Sequence, residues 1–128
     1  MKDKSKKITI TADSLVADIQ FQFAACYSFL KIEFFENNSA TFFKNEQVDS
    51  NRNVGGISTL TTPVTLNIEE ERTVAEVEKD CRELIGLCIQ LYRKSGNVWN
   101  AISLTNNWTL QNQNEAGEFI STEMLKAS

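Results

Sequence analysis

Leu15-Val16-Ala17-Asp18-Ile19 returns 58 residues on as Thr73-Val74-Ala75-Glu76-Val77, while Leu30, Ile32, Phe34 and Phe35 return 57 residues on as Leu87, Ile89, Leu91 and Tyr92. A one-residue gap reconciles the two offsets. The chain therefore reads as one unit written twice, over residues 8–43 and 64–102, a pattern that dictates architecture and carries no chemistry of its own. In the first copy Ile8 and Ile10 alternate with Thr9 as a strand does. Asp13-Ser14 offers oxygens for a helix start, and Val16, Ile19, Phe23 and Cys26 then fall on one helical face. Leu30, Ile32 and Phe34 alternate with Lys31, Glu33 and Phe35, as in a sheet covered on one side. Asn37-Asn38-Ser39 predicts a turn and Ala40 to Phe43 a returning strand.

The second copy makes the same decisions in other letters. Val64, Leu66 and Ile68 predict a strand, which Pro63 can enter only at its first position or edge. Thr73 and Glu76 have the spacing of a capping box, and Val74, Val77, Cys81 and Leu84 form the apolar stripe that follows. Gly86 suits the left-handed closing position of that helix. Leu87 to Arg93 predicts a strand, Lys94-Ser95-Gly96-Asn97 a hairpin turn, and Val98 to Ile102 the return. Between the copies, residues 45–62 are polar, contain Gly55-Gly56, and read as a mobile loop with too few apolar residues to pack strongly. In the tail, 103–128, Thr109 is expected to cap a short turn through Leu110 to Asn114, Trp108 to anchor the segment, and residues from Ser121 on to fray.

These elements predict an α+β two-layer sandwich. Each strand-helix-strand passage, crossing right-handed, puts both helices on one face of a mainly antiparallel sheet, ordered either as a ferredoxin-like fold with extra strands or as two βαββ halves about a pseudo-twofold axis. With 128 residues and 41% hydrophobic content, a single domain over residues 1–128 is expected.

Charge and composition narrow the function classes. A net charge of −4 and a pI near 4.9 supply no overall positive field for nucleic acid or an anionic membrane, and no run is long and apolar enough to span a bilayer. A cytoplasmic location is expected. Three cysteines do not make a disulfide framework; Cys26 and Cys81 read as buried filler, and Cys88 lies on the less buried side of its strand. Histidine is absent, so catalysis would rest on carboxylates, a cysteine or a lysine. The acids Glu69-Glu70-Glu71 precede a helix start, where the dipole favours negative charge. Asp49 to Gly55 imitates the opening of a calcium loop, but its glycine falls one place late and Leu60 stands where a bidentate glutamate is needed. No catalytic residue, metal site or cofactor is therefore expected.

The constellation that offers function is aromatic. Phe35 and Tyr92 occupy equivalent places in the two copies, opposite in parity to the core-facing residues, and Phe43 and Trp99 stand near them on the returning strands. On an acidic chain these four are expected to bind a protein partner or a second copy, making this a non-enzymatic interaction or self-association module. Stacking of single-stranded nucleic acid on Phe35 and Tyr92 is a lesser alternative. The main alternative, ahead of that one, is a small-ligand binder or carboxylate-based enzyme using carboxylates and Lys31 or Lys94 in a cleft between sheet and central loop.

Tyr92-Arg93-Lys94-Ser95-Gly96-Asn97-Val98-Trp99, then Trp108-Thr109-Leu110 and Gln113-Asn114, resembles a family of small uncharacterised bacterial proteins. Phe29 to Phe35 and Thr73-Val74-Ala75-Glu76 share in the likeness, which spans most of both copies. Members often carry two aspartates just ahead of the second tryptophan, where this chain has Asn106 and Asn107. The resemblance implies a shared fold and a bacterial origin, and it brings no activity.

Overall fold

The computed structural model describes residues 6–36 and 47–127. The predicted Asn37–Ser39 turn, the Ala40–Phe43 strand and the ring of Phe43 lie outside those residues. The described elements run β1 (Lys7–Ile10), α1 (Val16–Cys26), β2 (Leu30–Glu36), a 3-10 turn (Val54–Gly56), β3 (Val64–Asn67), α2 (Val74–Ile85), β4 (Leu87–Ser95), β5 (Val98–Ala101) and α3 (Leu110–Ala127). This is an α+β fold. All strand pairings are antiparallel, and they make two small sheets, β1-β3 and β2-β4-β5.

The single sheet expected from the sequence is thus replaced by two, and no ferredoxin-like strand order occurs among the described strands. The right-handed crossover rule does not bear on this topology. It governs parallel strands of one sheet, whereas β1 and β2 belong to different sheets and each finds its partner in the other half of the chain.

Local chemistry explains where the helices start and stop. At α2 the capping box forms: Glu76 N–H donates to Thr73 Oγ1 at 3.1 Å, and Thr73 N–H donates to Glu76 Oε1 at 2.8 Å. Gly86 closes the helix at φ +71°, with its N–H on the Arg82 carbonyl. Helix α1 starts otherwise. Its N-cap is Leu15, whose side chain accepts nothing, and Val16 and Ala17 instead donate to the carbonyls of Arg52 and Ser50 at 3.0 and 2.8 Å. Ser14, expected to cap this helix, accepts from Thr11 N–H. Segment 47–62 therefore does structural work that its polarity concealed. Val48 and Val54 are buried, Ile57 and Leu60 pack against the core, and the loop backbone supplies the acceptors that α1 lacks.

The buried side chains form one continuous cluster. Ile8, Ile10, Leu66 and Ile68 enter from the β1-β3 side, and Leu30, Ile32, Phe34, Leu87, Ile89 and Leu91 from the other sheet. Val16, Ile19 and Phe23 of α1, and Val74, Val77, Cys81 and Ile85 of α2, close over them. The α2 stripe ends on Ile85; Leu84, expected in it, is 40% exposed, because the step of four from Cys81 is the one that keeps facing inward. Tyr27, at the end of α1, is buried and donates its hydroxyl to the Ile68 carbonyl at 2.6 Å. Burial, and after it the charge of Glu70, raises its phenol well above the usual range. Cys81 is a buried thiol pushed up to about 12 by desolvation, an inert filler, while Cys26 and Cys88 are half-buried. Glu70 and Glu69 pair across space with Lys6 and Lys7 at 3.1 and 3.2 Å, so lysines offset two of the three charges of this acidic run in addition to any helix dipole.

The tail differs most from its reading. In place of a short turn, α3 continues to Ala127, started by Asn112 N–H donating to Thr109 Oγ1 at 3.1 Å. Leu110, Gln113 and Ser121 are buried on its inner face, and Gly117 lies against Phe29 and Arg93. Trp108 is 41% exposed, so the anchor is Leu110.

Replacing Thr73 by Ala is expected to cost about 1 kcal/mol by removing an acceptor for the α2 N-terminus, read as a lower urea midpoint. The Thr73 N–H holds the Glu76 carboxyl below its usual range. The associated stabilisation is therefore present above the ordinary carboxylate pKa and is lost as pH falls through the lowered folded value. Glu76→Gln should remove that part of the acid-side loss in paired urea titrations at neutral and acid pH.

Candidate functional site

Strands β2, β4 and β5 turn one face to the core and leave the other uncovered among the described residues. Alternation along β4 buries Leu87, Ile89 and Leu91 and puts Cys88, Gln90, Tyr92 and Lys94 on the open side. Register adds their neighbours: Phe35 opposite Cys88, Glu33 opposite Gln90, Lys31 opposite Tyr92, Trp99 opposite Lys94, and Ala101 opposite Tyr92. The β4-β5 turn is tight. Gly96 takes φ +70° while Asn97 keeps a negative φ, the pattern of a type II′ turn whose twist matches the strands.

A cation-aromatic cluster occupies the hairpin end of this face. Lys31 Nζ lies 5.3 Å from the ring centroids of both Tyr92 and Trp99, and Lys94 Nζ lies 5.9 Å from Trp99. Lys31 also pairs with Glu33 at 3.7 Å. Glu33 Oε1 accepts from Gln47 Nε2 at 2.8 Å and Gln20 Nε2 at 3.1 Å, which fixes the carboxylate at the centre of the face. Beyond it a shallow hollow of about 300 Å³ is lined by Phe35, Cys88, Gln90, Tyr92 and Ala101. Tyr92 and Trp99 thus come together around Lys31, and Phe35 sits four residues along β2 at the far end of the hollow. The fourth aromatic of the sequence reading, Phe43, is outside the described residues.

The edge strand β5 adds backbone chemistry. The two-residue turn makes Ser95-Val98 and Arg93-Asn100 the hydrogen-bonded pairs of the hairpin, so the N–H and C=O groups of Trp99 and Ala101 point away from β4. Val98 is half exposed on this edge. Such an edge can pair with another strand.

A second hollow, of about 480 Å³, lies on the other side of β2 among Gln20, Glu33, Gln47, Asp49 and Ser50. Its Glu33 carboxylate is already bonded to two amides and to a lysine, and its Asp49 carboxylate accepts from Asn51 N–H at 3.3 Å. Among the described residues no three Cys, Asp or Glu side chains gather as metal ligands. No hydrogen bond between described residues in either hollow joins a nucleophile to a base. What the open face offers among the described residues is ring surface, two ammonium groups and a strand edge that β4 alone pairs.

Sequence reasoning missed one polar cluster, built where β4 meets α3. Arg93 has the core-facing parity of Leu87, Ile89 and Leu91, and α3 covers it. Its Nη1 donates to Oε1 of the buried Gln113 at 3.0 Å, and its guanidinium lies 6.0 Å from the Trp108 ring. Gln113 Nε2 donates to the carbonyl and to Oγ1 of Thr105, both at 2.8 Å. A cation at a strand position of core-facing parity was the available signal.

No helix among the described residues is long and apolar enough to cross a membrane. No protein-family model, curated protein or solved structure matches the chain.

Proposed function

We propose that this protein is a non-enzymatic interaction module that presents the open face and outer edge of the β2-β4-β5 sheet to another protein chain or to a second copy of itself. The observation that carries this reading is the cluster of Lys31, Tyr92, Lys94 and Trp99 beside the unpaired edge of β5. Tyrosine and tryptophan anchored by cations are the side chains that dominate protein interfaces, and edge pairing supplies main-chain hydrogen bonds. Sedimentation and native mass measurement test self-association, and affinity capture tests a partner. The double substitution Tyr92→Ala and Trp99→Ala should weaken whichever association is seen by tenfold or more while the far-ultraviolet spectrum is kept. A wild-type chain that stays monomeric and captures no protein overturns the reading.

The scaffold belongs to the same proposal, as two copies of one unit about a pseudo-twofold axis. Matched backbone bonds support it. Val16 and Ala17 donate to Arg52 and Ser50 as Val74 and Ala75 donate to Trp108 and Asn106. Val54 and Gly55 donate to Ser14 and Ala12 as Leu110 and Gln111 donate to Arg72 and Glu70, and Val48 meets Phe34 as Ile102 meets Leu91. The sheet registers agree, centring on Ile8 opposite Leu66 and on Glu33 opposite Gln90. On this reading the described parts of the two copies, including the Val48–Phe34 and Ile102–Leu91 bonds past each copy's second strand, superimpose. An experimental structure in which the two halves fail to superimpose overturns it.

A further inference from the structure

We propose that the cleft between β5 and the 102–105 turn is a binding site for the carboxylate of a small apolar acid, with Arg93 as its receptor. The site is separate from the open face, since Arg93 and its cross-strand neighbour Asn100 point to the α3 side of the sheet. The cleft measures about 210 Å³ and is walled by Arg93, Asn100, Ser103, Leu104 and Thr105. That is room for about seven waters, or for a carboxylate with a short chain.

Arg93 is a half-buried cation with no acidic partner among the described residues. Arg72, by contrast, is paired with Asp80 at 2.6 Å and Glu76 at 3.8 Å. The Arg93 guanidinium spends one donor on Gln113; its Nε is enclosed without an acceptor, and Nη2 makes no hydrogen bond within the described protein. Its position is held by the bond to Gln113 and by the Trp108 ring, whose centroid is 6.0 Å from the guanidinium carbon, with Gly117 admitting its stem: a Cβ there would stand 3.1 Å from Arg93 Cγ. A fixed guanidinium with spare donors is a preorganised oxyanion receptor. Thr105 Oγ1 already accepts from Gln113, so its own proton is free to donate into the cleft beside the Ser103 hydroxyl.

The single positive charge among neutral donors selects a monoanion over a dianion. Leu104, 96% exposed at the rim, gives an apolar tail something to cover.

The test is a titration of the full chain, labelled with nitrogen-15, by acetate, butyrate and inorganic phosphate at constant ionic strength. Saturable shifts confined to residues 100–105 and the Arg93 side chain are expected in the millimolar range. Butyrate should bind up to roughly tenfold more tightly than acetate through its two added methylenes, and phosphate more weakly than either. Arg93→Lys, which keeps the charge and loses the fork, should abolish saturation. Leu104→Ser, at a position too exposed to affect folding, should bring butyrate down to acetate. Absence of saturable shifts in the wild type, phosphate binding as tight as acetate, or saturation unchanged in a folded Arg93→Lys variant each overturns the proposal.

Discussion

Phe23→Ala should destabilise the protein by about 3–5 kcal/mol, the largest loss expected from any single truncation considered for this fold. Phe23 is fully buried at the middle of the α1 stripe, and its ring centre is 5.5 Å from that of Tyr27 at an interplanar angle of 47°. Removing the ring opens a cavity where α1 meets both sheets, and it withdraws the surface that holds Tyr27 in place. The Tyr27 hydroxyl is the bond from the end of α1 to the Ile68 carbonyl, so the damage reaches the β3 side of the core. Since domains of this size are stable by only about 5–15 kcal/mol, the loss removes from about a fifth to all of the stability. Urea unfolding followed by circular dichroism measures it. A loss below about 1 kcal/mol would mean that α1 is not packed as described.

Gly117→Val should cost about 1–3 kcal/mol through overpacking and should detach α3 from β4. A Cβ at this position would lie 2.9 Å from Phe29 Cβ and 3.2 Å from the Phe29 carbonyl oxygen, and the second of these belongs to backbone that cannot swing aside. Gly117 is thus a point of close approach between α3 and the chain entering β2. Gly117→Ala meets the same contact with less bulk and should lie between wild type and Val. Hydrogen exchange separates local release from global loss: amides of residues 114–127 should lose protection ahead of those in β2 and β4. Uniform protection in the Val variant would remove Gly117 from that role.

Several features were legible because their physics is local. The capping box of Thr73 and Glu76, the left-handed closing glycine at 86 and the turn at Gly96 each depend on residues within one turn of one another. Alternation along β2 and β4 separated core from open face correctly, which placed Phe35 and Tyr92 on the same side. Helix α3 was misread for an equally physical reason. Its inward positions Leu110, Gln113, Gly117 and Ser121 follow helical spacing, but three of them are polar or lack a side chain, while the large apolar residues Phe119 and Leu125 face out. Hydrophobic periodicity is blind to a helix that docks through a glycine and a glutamine. The start of α1 failed similarly, since its acceptors are backbone carbonyls from residues more than thirty positions away.

Composition, alternation and the two helix patterns by themselves determined the α+β class, the order of most elements and the side of each strand that faces the core. Only the tertiary structure decided that the strands divide into two sheets, that segment 47–62 caps α1, and that Arg93, Gln113 and Thr105 meet in one cluster. The reason is range. Propensity and periodicity are set by neighbours within a turn or a pleat, whereas pairing and docking depend on which distant segment supplies the missing hydrogen-bond acceptor or the space for a side chain.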